Sequence, residues 1–286
     1  LFYEKDFEEK LDENRDLIGF NNGIYDLKAG YFRDGTPDDY VTFTVKYEYR
    51  EFSMRHTYIK HIIEFFRKIQ PDPDMHKYLL TLLASHLDGH NKGNRFIIFT
   101  GESGSNGKST CLEFMQLVMG DYASTAAPTL ITRKPKGAGD ATPEIADKRG
   151  VRLIQMDEPQ RGEQIYASTM KRYSGNDKLP ARALFGDPFY YYPQFKLIML
   201  CNKKPPIDDT DGGTWRRIRV TSWDSRFIDL DEEIEDPKHE FYKDPDIGDK
   251  MKKWKRAFMW LLLHKYYKYY RNNKGYVKEP TKVKQW

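Results

Sequence analysis

Cysteine is scarce: the 286-residue chain has two, Cys111 and Cys201, far apart. Their spacing fits no metal-ligand pattern, so a zinc site is excluded. Two buried free thiols in a reducing compartment are expected rather than a disulfide. The seven histidines are scattered, and none sits in the H-E-x-x-H arrangement of a metalloprotease. No apolar run approaches the roughly 18 residues that a membrane span needs. Internal repeats and low-complexity tracts are also missing, which excludes a solenoid. Neither sign of charge prevails, with 47 Lys and Arg against 43 Asp and Glu and a net charge of +4. Hydrophobic residues, at 39%, fall below the globular mean, but aromatics at 15% restore buried area and exclude a disordered chain. Leu1 to Lys10 are heavily charged, so no signal peptide is expected. The start on Leu1 and the stop on Trp286 in a basic stretch suggest a fragment of a longer protein.

The near-neutral mean hides an asymmetry. Asp224 to Asp249 holds eleven acids and three bases, whereas Lys252 to Trp286 holds eleven bases and one acid, Glu279. Such a split suggests a polyanion surface, a subunit contact, or two blocks that offset each other on one solvated face. Along the chain, residues 16–50 read as short strands and turns. Helical spacing follows from Phe52 to Ile69 and again from Met75 to Leu87. From Arg95 the pattern alternates strand, loop and helix, with strands at Phe96–Phe99, Val151–Met156, Lys196–Cys201 and Ile218–Thr221. Met251, Trp254, Phe258, Leu261, Leu262, Tyr266 and Tyr269 form the apolar stripe of a last helix. The alternation predicts an α/β core flanked by helical segments.

The strongest signal is Phe99-Thr100-Gly101-Glu102-Ser103-Gly104-Ser105-Asn106-Gly107-Lys108-Ser109-Thr110. A buried strand runs into a Gly-rich loop, and Gly107-Lys108-Ser109-Thr110 opens a helix. Backbone N–H groups of such a loop face phosphate oxygens, where the helix dipole favours negative charge. Gly104, Ser105, Asn106, Gly107, Lys108, Ser109 and Thr110 are therefore the candidate nucleotide-binding residues. Lys108 would reach the β- and γ-phosphates and the Ser109 hydroxyl would ligate Mg²⁺. One departure stands out. The pattern G-x-x-x-x-G-K-S/T requires Gly at 102, where Glu102 stands, and Gly101 comes one residue early. The expectation is a loop one residue longer than usual.

About 50 residues on, Leu153-Ile154-Gln155-Met156-Asp157-Glu158 is an apolar strand ending in two acids. Asp157 would hold Mg²⁺, and Glu158 would act as general base or position the attacking water. Alone the pair is weak, because acids at strand ends are common in surface turns.

The order of the phosphate loop, the Asp157-Glu158 pair, the strand Leu197 to Asn202, and Trp215-Arg216-Arg217-Ile218 resembles superfamily 3 helicases. The nearest likeness is to the primase-helicases of nucleocytoplasmic large DNA viruses, poxvirus type, and related phages. It extends to Ile18 to Gly23 with Asp26, Gly35 to Tyr40, Ser174 to Asp177 with Ala181-Arg182, Cys201 to Pro205, and Asp211 to Arg217, and it covers most of residues 16–225. The resemblance implies an AAA+-like P-loop ATPase core with a parallel sheet, an N-terminal strand and helix appendage, and a C-terminal helical region. It implies segments 1–50 (strand-rich), 51–90 (helical, collar-like), 91–225 (ATPase core) and 226–286 (helical, charge-split).

By the same likeness Asn202 senses the γ-phosphate and water, since an amide donates and accepts at once; the alternative is a strand-end turn residue. Arg216 or Arg217, with Arg216 favoured, acts as a finger on the neighbouring subunit's nucleotide; alternatively one or both pair with surface acids such as Asp208, Asp209 and Asp211. A hairpin turning at Phe185-Gly186-Asp187-Pro188 grips DNA. Lys178 and Arg182 would meet phosphates, and Phe185 and the Tyr190–Tyr192 cluster would stack on bases. The alternative for the tyrosines is packing on their own core.

The resulting expectation is an ATP- and Mg²⁺-dependent ring helicase, a hexamer by the resemblance alone, acting on single-stranded or forked DNA in viral replication. A primase domain would lie on the rest of the chain. The location would be the cytoplasm or a viral replication site, without membrane attachment or secretion. The competing readings are a P-loop kinase for a small molecule or polynucleotide, and a nucleotide-dependent assembly scaffold.

Overall fold

The computed structural model describes residues 7–101, 104–134, 142–209 and 211–283. A single helical turn, α1 (Phe7–Lys10), precedes an antiparallel meander of β1 (Leu17–Phe20), β2 (Gly23–Asp26) and β3 (Tyr31–Arg33). Two helices follow. In α2 (Thr57–Ile69) the buried residues Ile59, Ile62, Phe66 and Ile69 recur at three and four, giving one apolar stripe. Helix α3 (Pro73–Ser85) starts where the Asp72 carboxylate accepts from the Asp74 and Met75 amides, with Pro73 in the first turn. The helix expected from Phe52 begins only at Thr57, because the His56 ring accepts the Tyr58 amide and caps it there.

The core elements are β4 (Phe96–Thr100), α4 (Lys108–Met119), β5 (Ala123–Ala126), α5 (Thr129–Thr132), α6 (Pro143–Ala146), β6 (Leu153–Met156), α7 (Ala167–Tyr173), β7 (Leu179–Ala181), β8 (Phe189–Tyr191), β9 (Lys196–Cys201), α8 (Gly212–Trp215) and β10 (Ile218–Ser222). Strands β10, β4, β9, β6 and β5 form one sheet in that order, and every pair is parallel. Its strands are buried on both faces, which explains their unbroken apolar runs. Ile97, Phe99, Ile198 and Leu200 point into one core, whereas Phe96, Ile98, Leu197, Met199 and Cys201 point into the other. Edge strand β5, Ala-Ser-Thr-Ala, is half exposed and carries no apolar run, so sequence periodicity did not reveal it.

A short parallel pair, β11 (Arg226–Ile228) with β12 (Glu240–Tyr242), leads into α9 (Ile247–Leu261). That helix continues through a π-helical turn, Leu262–Tyr266, into α10 (Tyr267–Asn272). Phe66 of α2, Phe114 of α4 and Phe258 of α9 stack at centroid distances of 4.6–6.4 Å. The flanking helices and the sheet therefore share one core. Arg152, 1% exposed, binds the N-terminal appendage to it: the guanidinium donates to the Leu17 and Leu87 carbonyls and lies 4.5 Å from the Tyr122 ring. Both cysteines are buried and free. Among the described residues no helix is long and apolar enough to cross a membrane.

Candidate nucleotide site

The parallel sheet sends the ends of β4, β9 and β6 to one edge, with β9 in the middle. Loop 101–107 leaves β4, Asn202 leaves β9, and Asp157-Glu158 leave β6. Crevices at such carboxyl edges are where open α/β sheets bind ligands. Glu102, the departure from the usual pattern, lies outside the described residues. Gly101 has its own steric requirement: a Cβ there would overlap the Asn106 amide and the Trp223 carbonyl. Gly107, at φ +83°, is left-handed and caps α4, and Ser105 is also left-handed at φ +56°. Lys108 begins α4 and is 6% exposed.

Three side chains meet at this edge. The Lys108 ammonium donates to Asn202 Oδ1 at 3.3 Å. Glu158 Oε1 accepts the backbone amides of Asn202 at 3.1 Å and Lys203 at 3.4 Å. Burial pulls the Lys108 ammonium below the usual lysine range, opposed by Cys201 and Glu158. Asp157 is oriented from α4: Gln116 donates to Gln155 at 2.9 Å, and Gln155 donates to Asp157 Oδ1 at 3.3 Å. Ser109 and Asp157 are both exposed. A hydroxyl and a carboxylate at this edge suit Mg²⁺, which takes few protein ligands and keeps waters and phosphate oxygens for the rest.

A cavity of about 530 Å³ opens beside the loop, lined by Ser105, Gly107 and Thr110 and by the aromatic side chains of Phe65, Phe227 and Trp254. The Phe227 amide donates to the Ser105 carbonyl at 2.7 Å, so β11 backs the loop directly. Sequence reading missed this wall. Trp254 shows only as part of a helical stripe, and Phe227 has no local signal at all.

The arginines lie at the opposite edge. Arg217 ends the approach to β10, and its carbonyl accepts the amide of Phe96, the first residue of β4. The length of β4, about 13 Å at 3.3 Å per residue, separates that edge from the phosphate loop. Arg217 turns into its own chain, donating to the Lys171 carbonyl at 2.6 Å and Ser174 Oγ at 3.3 Å. Arg216 is exposed. The acids weighed as partners for the pair are engaged elsewhere: Asp209 and Asp211 bind Lys171, and Asp208 accepts the Ala167 amide.

Strands β7 and β8 form the expected hairpin, antiparallel with Leu179 opposite Tyr191 and Ala181 opposite Phe189. Its loop runs over residues 182–188, longer than a four-residue turn, because Arg182 Nε bonds the Gly186 carbonyl across it and Phe185 is left-handed. Phe185 is fully exposed at the tip. Lys178 sits over the Tyr192 ring at 5.2 Å. Tyr191 is buried and donates to the Ile145 carbonyl, so for this tyrosine the packing alternative holds. Tyr190 and Tyr192 remain exposed.

Comparison with known proteins agrees with this frame. Residues 5–80 match the family described as D5 N terminal like, and residues 99–217 match a family of unknown function. A protein of Acanthamoeba polyphaga mimivirus, provisionally named helicase L207/L206, is 42% identical over 96% of this chain and 29% of its own length. The provisionally named helicase 184R of Invertebrate iridescent virus 6 is 33% identical over 97% of this chain and 30% of its own. The provisionally named primase C962R of African swine fever virus (strain Badajoz 1971 Vero-adapted) is 24% identical over 98% of this chain and 29% of its own. The chain thus spans about three tenths of the length of these relatives. The apo structure of the NrS-1 C-terminal region shares the fold, with a TM-score of 0.59 and 12% identity over 82% of this chain and 51% of that one. The chain is a homologue of helicases and primases, so named, of large DNA viruses, and it carries their D5 N-terminal-like segment ahead of a parallel-sheet core.

Proposed function

We propose that the chain is the motor of a viral replicative helicase, a ring that hydrolyses ATP and moves along single-stranded DNA. The carrying observation is the split of charged groups between two sheet edges. Lys108, Asn202 and Glu158 are joined at one edge, and Arg216 stands at the other, roughly a strand length away. An arginine so placed reaches a nucleotide only on a neighbouring copy, which favours a ring with sites between subunits. Six subunits follow from the family likeness.

In this reading the loop amides and Lys108 hold the phosphates, and the polyphosphate returns to Lys108 the charge stabilisation that burial removes. Phe65, Phe227 and Trp254 face the nucleoside. Ser109 and Asp157 hold Mg²⁺, which when bound neutralises charge on the phosphates. With Oε1 occupied by two amides, Glu158 keeps Oε2 to take the proton of the attacking water. Asn202 accepts from Lys108 through its oxygen and keeps its amide N–H groups for phosphate. The Phe185 tip, with Lys178 and Arg182, contacts the DNA strand.

The test is ATP hydrolysis with and without single-stranded DNA, measured beside mass in solution. Wild type should be stimulated by DNA and assemble with nucleotide, whereas Glu158→Gln should bind ATP and lose turnover. A monomer that moves phosphate to an acceptor would establish the kinase reading instead. Wild-type turnover in Glu158→Gln would remove Glu158 from the reaction.

A further inference from the structure

Helices α2 and α3 and the π-helical turn enclose a second groove, of about 510 Å³, on the flank of the molecule. Four cations line it, Arg67, Lys68, Lys77 and Lys265, against one carboxylate, Glu64. Glu64 lies 3.9 Å from Arg67 with both side chains mostly exposed, a pair that water and salt screen. Lys68, Lys77 and Lys265 form no salt bridge among the described residues. Instead Lys77 rests over the Tyr269 ring at 4.7 Å, and Lys265 over the Tyr266 ring at 5.2 Å. The two tyrosine rings stand edge to face, 6.0 Å apart, and Tyr269 is 41% exposed. His76 completes the wall, with a buried Nδ1 that has no hydrogen-bond partner. Burial lowers the pKa of that ring, opposed by a hydrogen bond with the Phe66 backbone and reinforced by the charges of Arg67 and Lys265.

We propose that this groove is a binding site for single-stranded nucleic acid, distinct from the hairpin. Its chemistry has the two parts such strands require. Cations without salt bridges attract phosphates, and the exposed Tyr269 face that now holds Lys77 can stack on a base instead.

An acidic protein segment is the rival occupant, and the chain contains an obvious candidate in its block from Asp224 to Asp249. Six of the eleven acids in that block, however, already have partners among the described residues. Arg226 pairs with Glu232 and Glu240, Lys243 with Asp229, Lys250 with Asp244, Lys252 with Asp249, and His239 with Asp236. Lys265 of the last helix thus stays without a salt bridge in the groove, while most of the acidic block is bound to nearby bases. The inference does not depend on ATP hydrolysis or on the hairpin.

The experiment uses the 286-residue chain and a fluorescent oligothymidylate, titrated without nucleotide over a range of salt. Lys77→Ala with Lys265→Ala should weaken binding tenfold or more near physiological salt. It should lower the slope of log affinity against log salt by about 1.4, two phosphate contacts at about 0.7 each. Lys77→Arg with Lys265→Arg should bind as wild type. A 5-iodouracil oligonucleotide should crosslink to Tyr269 of wild type, a readout that does not require the variants to fold. Unchanged affinity and slope in the folded alanine variant, with crosslinks confined to the hairpin, would overturn the proposal. So would a variant that alters self-association without altering oligonucleotide affinity, because the groove would then hold protein.

Discussion

The two edges of the parallel sheet differ in how their charged groups are held. At the carboxyl edge the charged side chains are held within the site: Lys108 by the Asn202 side chain, Glu158 by the Asn202 backbone amide, and Asp157 by Gln155. At the amino edge Arg217 is tied into its own chain, while Arg216, the next residue back, projects outward. The difference teaches that adjacent arginines need not be held alike, and on the proposed reading it is the separation along a strand, rather than distance in sequence, that gives the two edges to different subunits.

The largest effect tests that separation. Arg216→Ala and Lys108→Ala should each lower ATP hydrolysis by about 10³-fold or more. Mixed in one ring they should regain part of it, since an intact Lys108 then meets an intact Arg216 across a boundary. Hydrolysis measured across mixing ratios checks this, and flat activity in verified mixed rings would break the two-edge division.

A smaller effect separates the two arginines. Arg217→Ala removes charged hydrogen bonds to the Lys171 carbonyl and Ser174 and should cost about 1–3 kcal/mol of stability in urea unfolding. Arg216→Ala should leave stability nearly unchanged. If Arg217→Ala stops hydrolysis at full stability, the roles are reversed.

The smallest effect is in pH. Lys108 is held below the ordinary lysine value of 10.5 by burial, whereas guanidinium groups stay charged throughout. Bound phosphate favours the charged form and raises the Lys108 pKa relative to the free site. Nucleotide affinity should therefore be full below the free-site value and fall as pH rises through it, beginning below 10.5. Calorimetric titration of an ATP analogue from neutral to alkaline pH reads the onset. A Lys108→Arg variant that retains binding should lack it.

Much of this was legible because buried parallel strands are continuous in apolar residues. Phe96–Thr100, Leu153–Met156 and Lys196–Cys201 announce themselves, and each delivers a site residue at its end. The phosphate loop was legible because left-handed backbone and close approach demand particular residues, as at Gly107 and Gly101. What escaped depends on long-range geometry. Strand β5 needs only a neighbour to pair with, Phe227 gains meaning only by lying against Ser105, and the acidic block pairs its charges through folds that no spacing reveals.

The π-helical turn at Leu262–Tyr266 makes the last helix a structure with a fixed phase. Before it, Trp254 and Phe258 face the nucleotide cavity and the aromatic core; after it, Tyr267 donates to Asp88 at 2.9 Å and Tyr270 is buried. A π turn holds one residue more than regular winding. Deleting one residue inside the turn would return regular winding with the flanking phases kept, whereas a deletion anywhere else in the helix would turn everything downstream by about 100° and carry Tyr267 away from Asp88. Length in this helix is therefore information. Substitutions along it can accumulate one at a time, but a one-residue change in length outside the turn must be answered by another nearby.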